Sequence, residues 1–99
     1  MTTTENYERL AAMIVAAKAE MLAEALLDEE AYYDNPIPTE EDEQKHRLAE
    51  AIIDECEDFF YSEFYSNICR IGPDRLLDAV YKHYRSKTFR HNLRHFLER

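Results

Sequence analysis

Only four of the 99 residues are glycine or proline, and they fall in two places: Pro36 and Pro38 in Asn35-Pro36-Ile37-Pro38, and Gly72-Pro73. A many-stranded β fold needs turn residues every eight to twelve or so positions, so this spacing excludes one. Alanine, leucine, glutamate and arginine, all good helix formers, dominate what lies between the breaks. The sequence predicts an all-α single domain spanning 1–99. Its plan is two long antiparallel helices, about 2–33 and 40–70, followed by one or two shorter C-terminal helices.

The boundaries have local chemistry. Thr2 with Glu5 has the spacing of a capping box for the first helix, and Thr39 with Asp42 marks the start of the second. Ile71-Gly72-Pro73 ends the second helix, and the next runs from about Asp74. Ser86-Lys87-Thr88 either divides this C-terminal region, giving a fourth helix at about 87–98, or lies within one longer helix.

Length then bears on assembly. A helix of ~30 residues is ~45 Å long, whereas a compact chain of this size has a radius of gyration of only ~13 Å. Two such helices overshoot a compact monomer, and a homodimer is the simplest remedy. The helical wheel of the first helix has two apolar stripes. Tyr7, Leu10, Ile14, Ala17, Met21, Ala25 and Tyr32 form the first, read as core. Ala11, Val15, Leu22, Leu26 and Tyr33 form the second, which is open to core or to a dimer interface.

The second helix is the more informative. Ala49, Ile52, Ile53, Cys56, Phe59, Phe60 and Phe64 share one face and read as core. On another flank, Glu50, Asp54, Glu57, Tyr61, Tyr65 and Ile68 follow at spacings of three and four, a continuous ladder on an unbroken helix. Like charges at that spacing repel, so helix stability does not explain the row. The tyrosines and isoleucine offer apolar area with polar handles, the composition of a binding hot spot. A solvated acidic face with its tyrosines packed on the C-terminal helices is the competing reading. Glu20, Glu24 and Asp28 make a second acidic row, rising ~6 Å per step. That pitch is comparable with the few ångströms between successive phosphates of a DNA strand, ~3.4 Å of rise per base pair. Here too a solvated helix face is the plainer alternative.

The net charge of −9 is lopsided. Residues 1–63 hold 18 acidic and four basic side chains, and residues 64–99 hold three acidic and eight basic. The segment from Lys82 to Phe96 mixes cations with aromatics, a pattern found in nucleic-acid contacts. Direct nucleic-acid binding is nevertheless not expected, because the acidic remainder repels a polyanion. The arginines are expected to pack near acidic helices of the same chain or of a dimer mate.

The stretch from Asp54 to Tyr65, an acidic helix with aromatic doublets, resembles the middle of phage antirestriction proteins that mimic DNA, and Tyr32-Tyr33 before a turn suits that style. The resemblance spans about residues 18–70 and rests on composition. It implies a small inhibitor, encoded by a phage or mobile element, that binds a host defence enzyme. The residues read as partner-binding are then Glu50, Asp54, Glu57, Tyr61, Tyr65, Ile68, Glu20, Glu24 and Asp28, set against a basic protein partner. The alternative is a small regulatory protein acting through its basic C-terminal helix.

No enzyme, cofactor or metal is expected. There is no P-loop, dinucleotide fingerprint or nucleophile elbow. His91 and His95 at i, i+4 lack a third ligand of diagnostic spacing, and Glu43 with His46 gives a single Glu-x-x-His. The longest apolar run, Leu10–Ala17, is too short to span a membrane, and Glu5 and Glu8 oppose the basic start of a signal peptide. A cytoplasmic protein is expected. Cys56 and Cys69, 13 residues apart on one helix, would be ~20 Å apart and therefore free.

Overall fold

The computed structural model describes residues 3–97, with side chains for 5–93, and these residues form five helices. The helices are α1 (Thr3–Asp34), α2 (Glu40–Phe60), α3 (Glu63–Ile68), α4 (Pro73–His83) and α5 (Lys87–Leu97). Thr2, and with it the expected first capping box, lies outside the described residues, as do the side chains of Arg94, His95, Phe96 and Leu97. The C-terminal region is thus two helices, parted where Ser86 Oγ accepts the Phe89 amide. The shape is elongated, 54 × 27 × 23 Å, because α1 is a single 32-residue rod.

The α1–α2 hairpin is pinned at its closed end. Thr39 caps α2 with a complete capping box: its hydroxyl accepts the Asp42 amide while the Asp42 carboxylate accepts the Thr39 amide. Those bonds hold the Asp42 carboxyl below its ordinary range. His46 stacks on Tyr32 at 4.0 Å between ring centroids and meets the edge of Tyr33, locking the end of α1 to the start of α2. Its Nε2 faces Glu50, and its buried Nδ1 has no hydrogen-bond partner.

The expected second helix over 40–70 is interrupted at Tyr61-Ser62, and the reason is in the core. Phe60 and Tyr65 are both buried, yet five residues of continuous helix would set them ~140° apart. Breaking the helix re-aims the chain so that both rings enter the same interior and meet edge to face at 5.4 Å. Ser62 makes the break tenable. Its hydroxyl donates to the Phe59 carbonyl at 2.6 Å and accepts the Tyr65 amide at 3.2 Å, so it closes α2 and caps α3. We expect Ser62→Ala to lower stability by ~1 kcal/mol in urea unfolding, the usual worth of an N-cap. An unchanged midpoint would deny the cap that role.

The core runs along α1, Val15, Ala19, Leu22, Ala23 and Ala25, against Ala49, Ile53, Cys56 and Phe60 of α2, Tyr65 of α3, Leu76, Leu77 and Val80 of α4, and Leu93 of α5. This overturns the expected assignment of the first α1 stripe to the core and places the second stripe, which the sequence left open, inside. Of the stripe read as core, only Ala25 is buried, and Tyr7, Leu10, Ala17 and Met21 are exposed. Ala11, Val15 and Leu22 of the other stripe are interior. Ala16, Ala19 and Ala23 widen that second face with small side chains, so α2 and α5 can both approach it closely. Phe64, also read as core, is 53% exposed because the break at Ser62 turns it outward. Both cysteines are free, and burial pushes the Cys56 thiol pKa up.

Candidate protein-binding surface

The interruption at Tyr61-Ser62 also dismantles the expected ladder. Glu50 and Asp54 remain exposed on α2, and Glu57, half-buried, accepts a hydrogen bond from the Tyr81 hydroxyl. Tyr61, exposed beyond the end of α2, donates to Asp74 instead of continuing the row. Tyr65 is interior, its hydroxyl donating to the Ile71 carbonyl at 2.8 Å, and Ile68 packs partly buried against the core. These last two are therefore structural members of the fold, not parts of an open surface. In the other row, Glu20 and Glu24 are exposed, whereas Asp28 is half-buried with Lys45 at 3.6 Å.

What the fold assembles in place of the ladder is a groove of about 430 Å³ between α1, α2 and α4. Leu26 and Ile53 form its apolar floor, Tyr33, Tyr81 and Tyr84 supply aromatic walls, and Glu29 and Glu30 supply charge. Glu57 and Asp54 reach the field of Tyr81 from the α2 side. Sequence reading missed Tyr81, Tyr84, Glu29 and Glu30. The signal was present: Leu77, Tyr81 and Tyr84 fall at i, i+4 and i+7 along α4 and its C-cap, so a buried leucine leads directly to two tyrosines at the rim.

Two of the three groove tyrosines are oriented by a carboxylate. Tyr81 donates to Glu57, and Tyr84 donates to Glu30 at 2.7 Å. Burial first, and then the Glu57 bond, push the Tyr81 pKa well above the ordinary phenol range; Tyr84 is raised chiefly by its bond to Glu30. Tyr61 is raised by Asp74, and Tyr65 by burial. A raised phenol pKa means that the unfolded chain loses its proton first, so these groups stabilise the fold below pH ~10 and lose that contribution above it. A tyrosinate absorbance titration should therefore show Tyr61, Tyr65, Tyr81 and Tyr84 ionising above the ordinary range in the folded protein and within it in urea. Coincident curves would contradict this hydrogen bonding.

One cation already occupies the edge of this surface. Arg85 Nε lies 2.9 Å from both oxygens of Glu30, and its guanidinium sits 5.2 Å from the Tyr84 ring centroid. That contact, before the Tyr84 bond, holds the Glu30 carboxyl below its usual range. The chain thus contains its own example of a guanidinium held by a carboxylate and an aromatic face. Other C-terminal cations also have intrachain partners: Lys82 pairs with Asp78 at 2.9 Å, and Arg90 donates to the Tyr84 carbonyl.

A larger opening, about 740 Å³, lies between the start of α1 and residues 66–71. Its charged lining mixes Glu5 and Glu8 with Arg9 and Arg70, so it lacks the single sign and aromatic convergence of the α1–α2–α4 groove. Among the described residues no group of three or more His, Cys, Asp or Glu side chains is placed to hold a metal, and no helix is long and apolar enough to cross a membrane. Comparison with protein families, curated proteins and solved structures gives no match to this chain.

Proposed function

We propose that the chain is a non-enzymatic inhibitor whose acidic, tyrosine-lined groove engages a basic protein partner and blocks that partner's nucleic-acid-binding site. The supporting observation is the convergence of Tyr33, Tyr81 and Tyr84 with Glu29 and Glu30 around one concavity. Aromatic anchors surrounded by charge of one sign suit insertion of an arginine or lysine side chain, as Arg85 illustrates at the margin. In keeping with the resemblance to antirestriction proteins, the partner is a host defence protein that grips nucleic acid, and the chain is encoded by a phage or mobile element. A cytoplasmic homodimer belongs to the same reading.

The test is capture followed by competition. Immobilised protein in a nuclease-treated host lysate should retain a basic partner that salt releases and that a DNA duplex displaces. Glu29→Lys and Asp54→Lys should weaken retention. The alternative, action through the basic C-terminal helix, predicts the reverse. A partner lost on Arg90→Glu but kept on Asp54→Lys would overturn the groove reading.

A further inference from the structure

The two glutamates that line the α1–α2–α4 groove are in different states. Glu30 accepts from the Tyr84 hydroxyl and from Arg85. Glu29, half-buried, has no hydrogen-bond or ion-pair partner among the described residues. It stands one turn before Tyr33 on α1, close enough for the two side chains to meet, and its charge reaches the Tyr81 phenol across the groove. A half-buried carboxylate beside the apolar floor of Leu26 and Ile53 gives up part of its hydration, and a cation is what compensates it. Among the described residues no Lys or Arg lines this groove, and Lys82, next to Tyr81, is turned to Asp78. We infer that the groove takes an arginine side chain of the partner in preference to a lysine, with the guanidinium on Glu29 against the ring of Tyr81.

The chain itself holds one cation of each kind on a carboxylate and an aromatic ring. Arg85 sets Nε 2.9 Å from both oxygens of Glu30, with its guanidinium 5.2 Å from the Tyr84 centroid. Lys18 sets Nζ 3.3 Å from one oxygen of Glu55 and 5.6 Å from the Phe59 centroid. The guanidinium makes more and shorter contacts to the same pair of groups. Its chemistry explains this: a planar, weakly hydrated cation bonds a carboxylate in its plane while its face lies on a ring, whereas an ammonium is a strongly hydrated point charge. Glu29 and Tyr81 repeat the parts of the Arg85 seat, one residue earlier on α1 and one turn before Tyr84 on α4. The Tyr81 bond to Glu57 fixes that ring before a ligand arrives. The inference rests on the groove as the contact surface, yet its test needs no partner.

The probes are Nα-acetyl-arginine amide and Nα-acetyl-lysine amide, in which the side chain carries the only charge, titrated into the protein by NMR. The arginine probe should shift the Tyr33 and Tyr81 ring resonances saturably and bind about fivefold more tightly than the lysine probe. Glu29→Gln should weaken the arginine probe by about fivefold, the worth of a partly exposed ion pair. Glu20→Gln makes the same charge change ~13 Å along the helix, beyond the ~10 Å screening length at 0.1 M salt, and should leave binding as it was. Circular dichroism checks that both variants stay helical. A lysine probe that binds as well as the arginine probe, a Glu29→Gln effect no larger than that of Glu20→Gln, or no saturable shift of either ring would overturn the inference. Partner capture that falls with Tyr81→Ala while the probes show no preference would keep the groove and overturn the arginine seat. Arginine preference with capture indifferent to Tyr81→Ala would keep the seat and move the partner elsewhere.

Discussion

Leu22→Glu is expected to unfold the chain, not to release a folded monomer. The Leu22 side chain has no exposed surface and lies among the α1, α2 and α4 core residues. Truncation alone, Leu22→Ala, should cost ~3–5 kcal/mol, the transfer term plus the cavity it leaves. Glutamate adds a carboxylate with no buried polar partner in a cluster made wholly of apolar residues, cysteine and a tyrosine. A domain of this size has ~5–15 kcal/mol of stability in total, so the substitution removes most or all of it. Thermal unfolding followed by circular dichroism is the measurement. Leu10→Glu, on the exposed stripe of the same helix, is the internal control and should melt within ~0.5 kcal/mol of the parent. A cooperative, helical Leu22→Glu protein would place α1 the other way round.

That contrast marks where sequence reasoning succeeded and where it stopped. Helix content, the breaks at Asn35–Pro38 and Gly72-Pro73, and the Thr39 cap were legible because each is decided by a few neighbouring residues. Which stripe of α1 faces inward was not. Both stripes carry enough apolar area, and the choice turned on Ala16, Ala19 and Ala23, whose small size lets two helices close on one face. Periodicity ranks bulk and so favoured the stripe with Tyr7, Leu10 and Met21. The break at Ser62 was hidden for a related reason. Tyr61-Ser62 contains no strong helix breaker, and only the demand that Phe60 and Tyr65 share one interior makes the interruption favourable.

The same limit shaped the view of the candidate site. An acidic, tyrosine-bearing surface was legible from composition, and Glu50, Asp54 and Glu57 do face outward or rimward on α2. The tyrosines that line the groove come from elsewhere, however. Tyr33 lies in the last turn of α1, and Tyr81 and Tyr84 lie on and just beyond α4, about 50 residues later in the chain, brought in by the packing of Leu77 and Val80. No spacing rule joins positions so far apart. Tertiary packing does.

Tyr81→Ala should therefore weaken the captured partner more than any charge change on the surface. An anchoring aromatic in a groove is worth ~2 kcal/mol or more, about a 30-fold loss of affinity, whereas rim carboxylates act mainly on the association rate. Tyr81 walls the groove, is 41% exposed, and is held by its bond to Glu57, so it is oriented before a partner arrives and little ordering cost falls due on binding. Tyr33→Ala should follow closely, since Tyr33 is 67% exposed at the same groove. Tyr81→Phe keeps the wall and gives up the hydroxyl, so its loss should fall between that of Tyr81→Ala and that of the parent. Asp54→Lys and Glu29→Lys should instead slow association and flatten its salt dependence, with smaller effects on dissociation. Tyr61→Ala, whose ring leans away to Asp74 and lines no part of the groove, should leave affinity within a few-fold of the parent. Surface plasmon resonance against the captured partner, at two salt concentrations, separates these effects into rates. Equal losses for Tyr61→Ala and Tyr81→Ala would move the contact off the groove and back toward the end of α2.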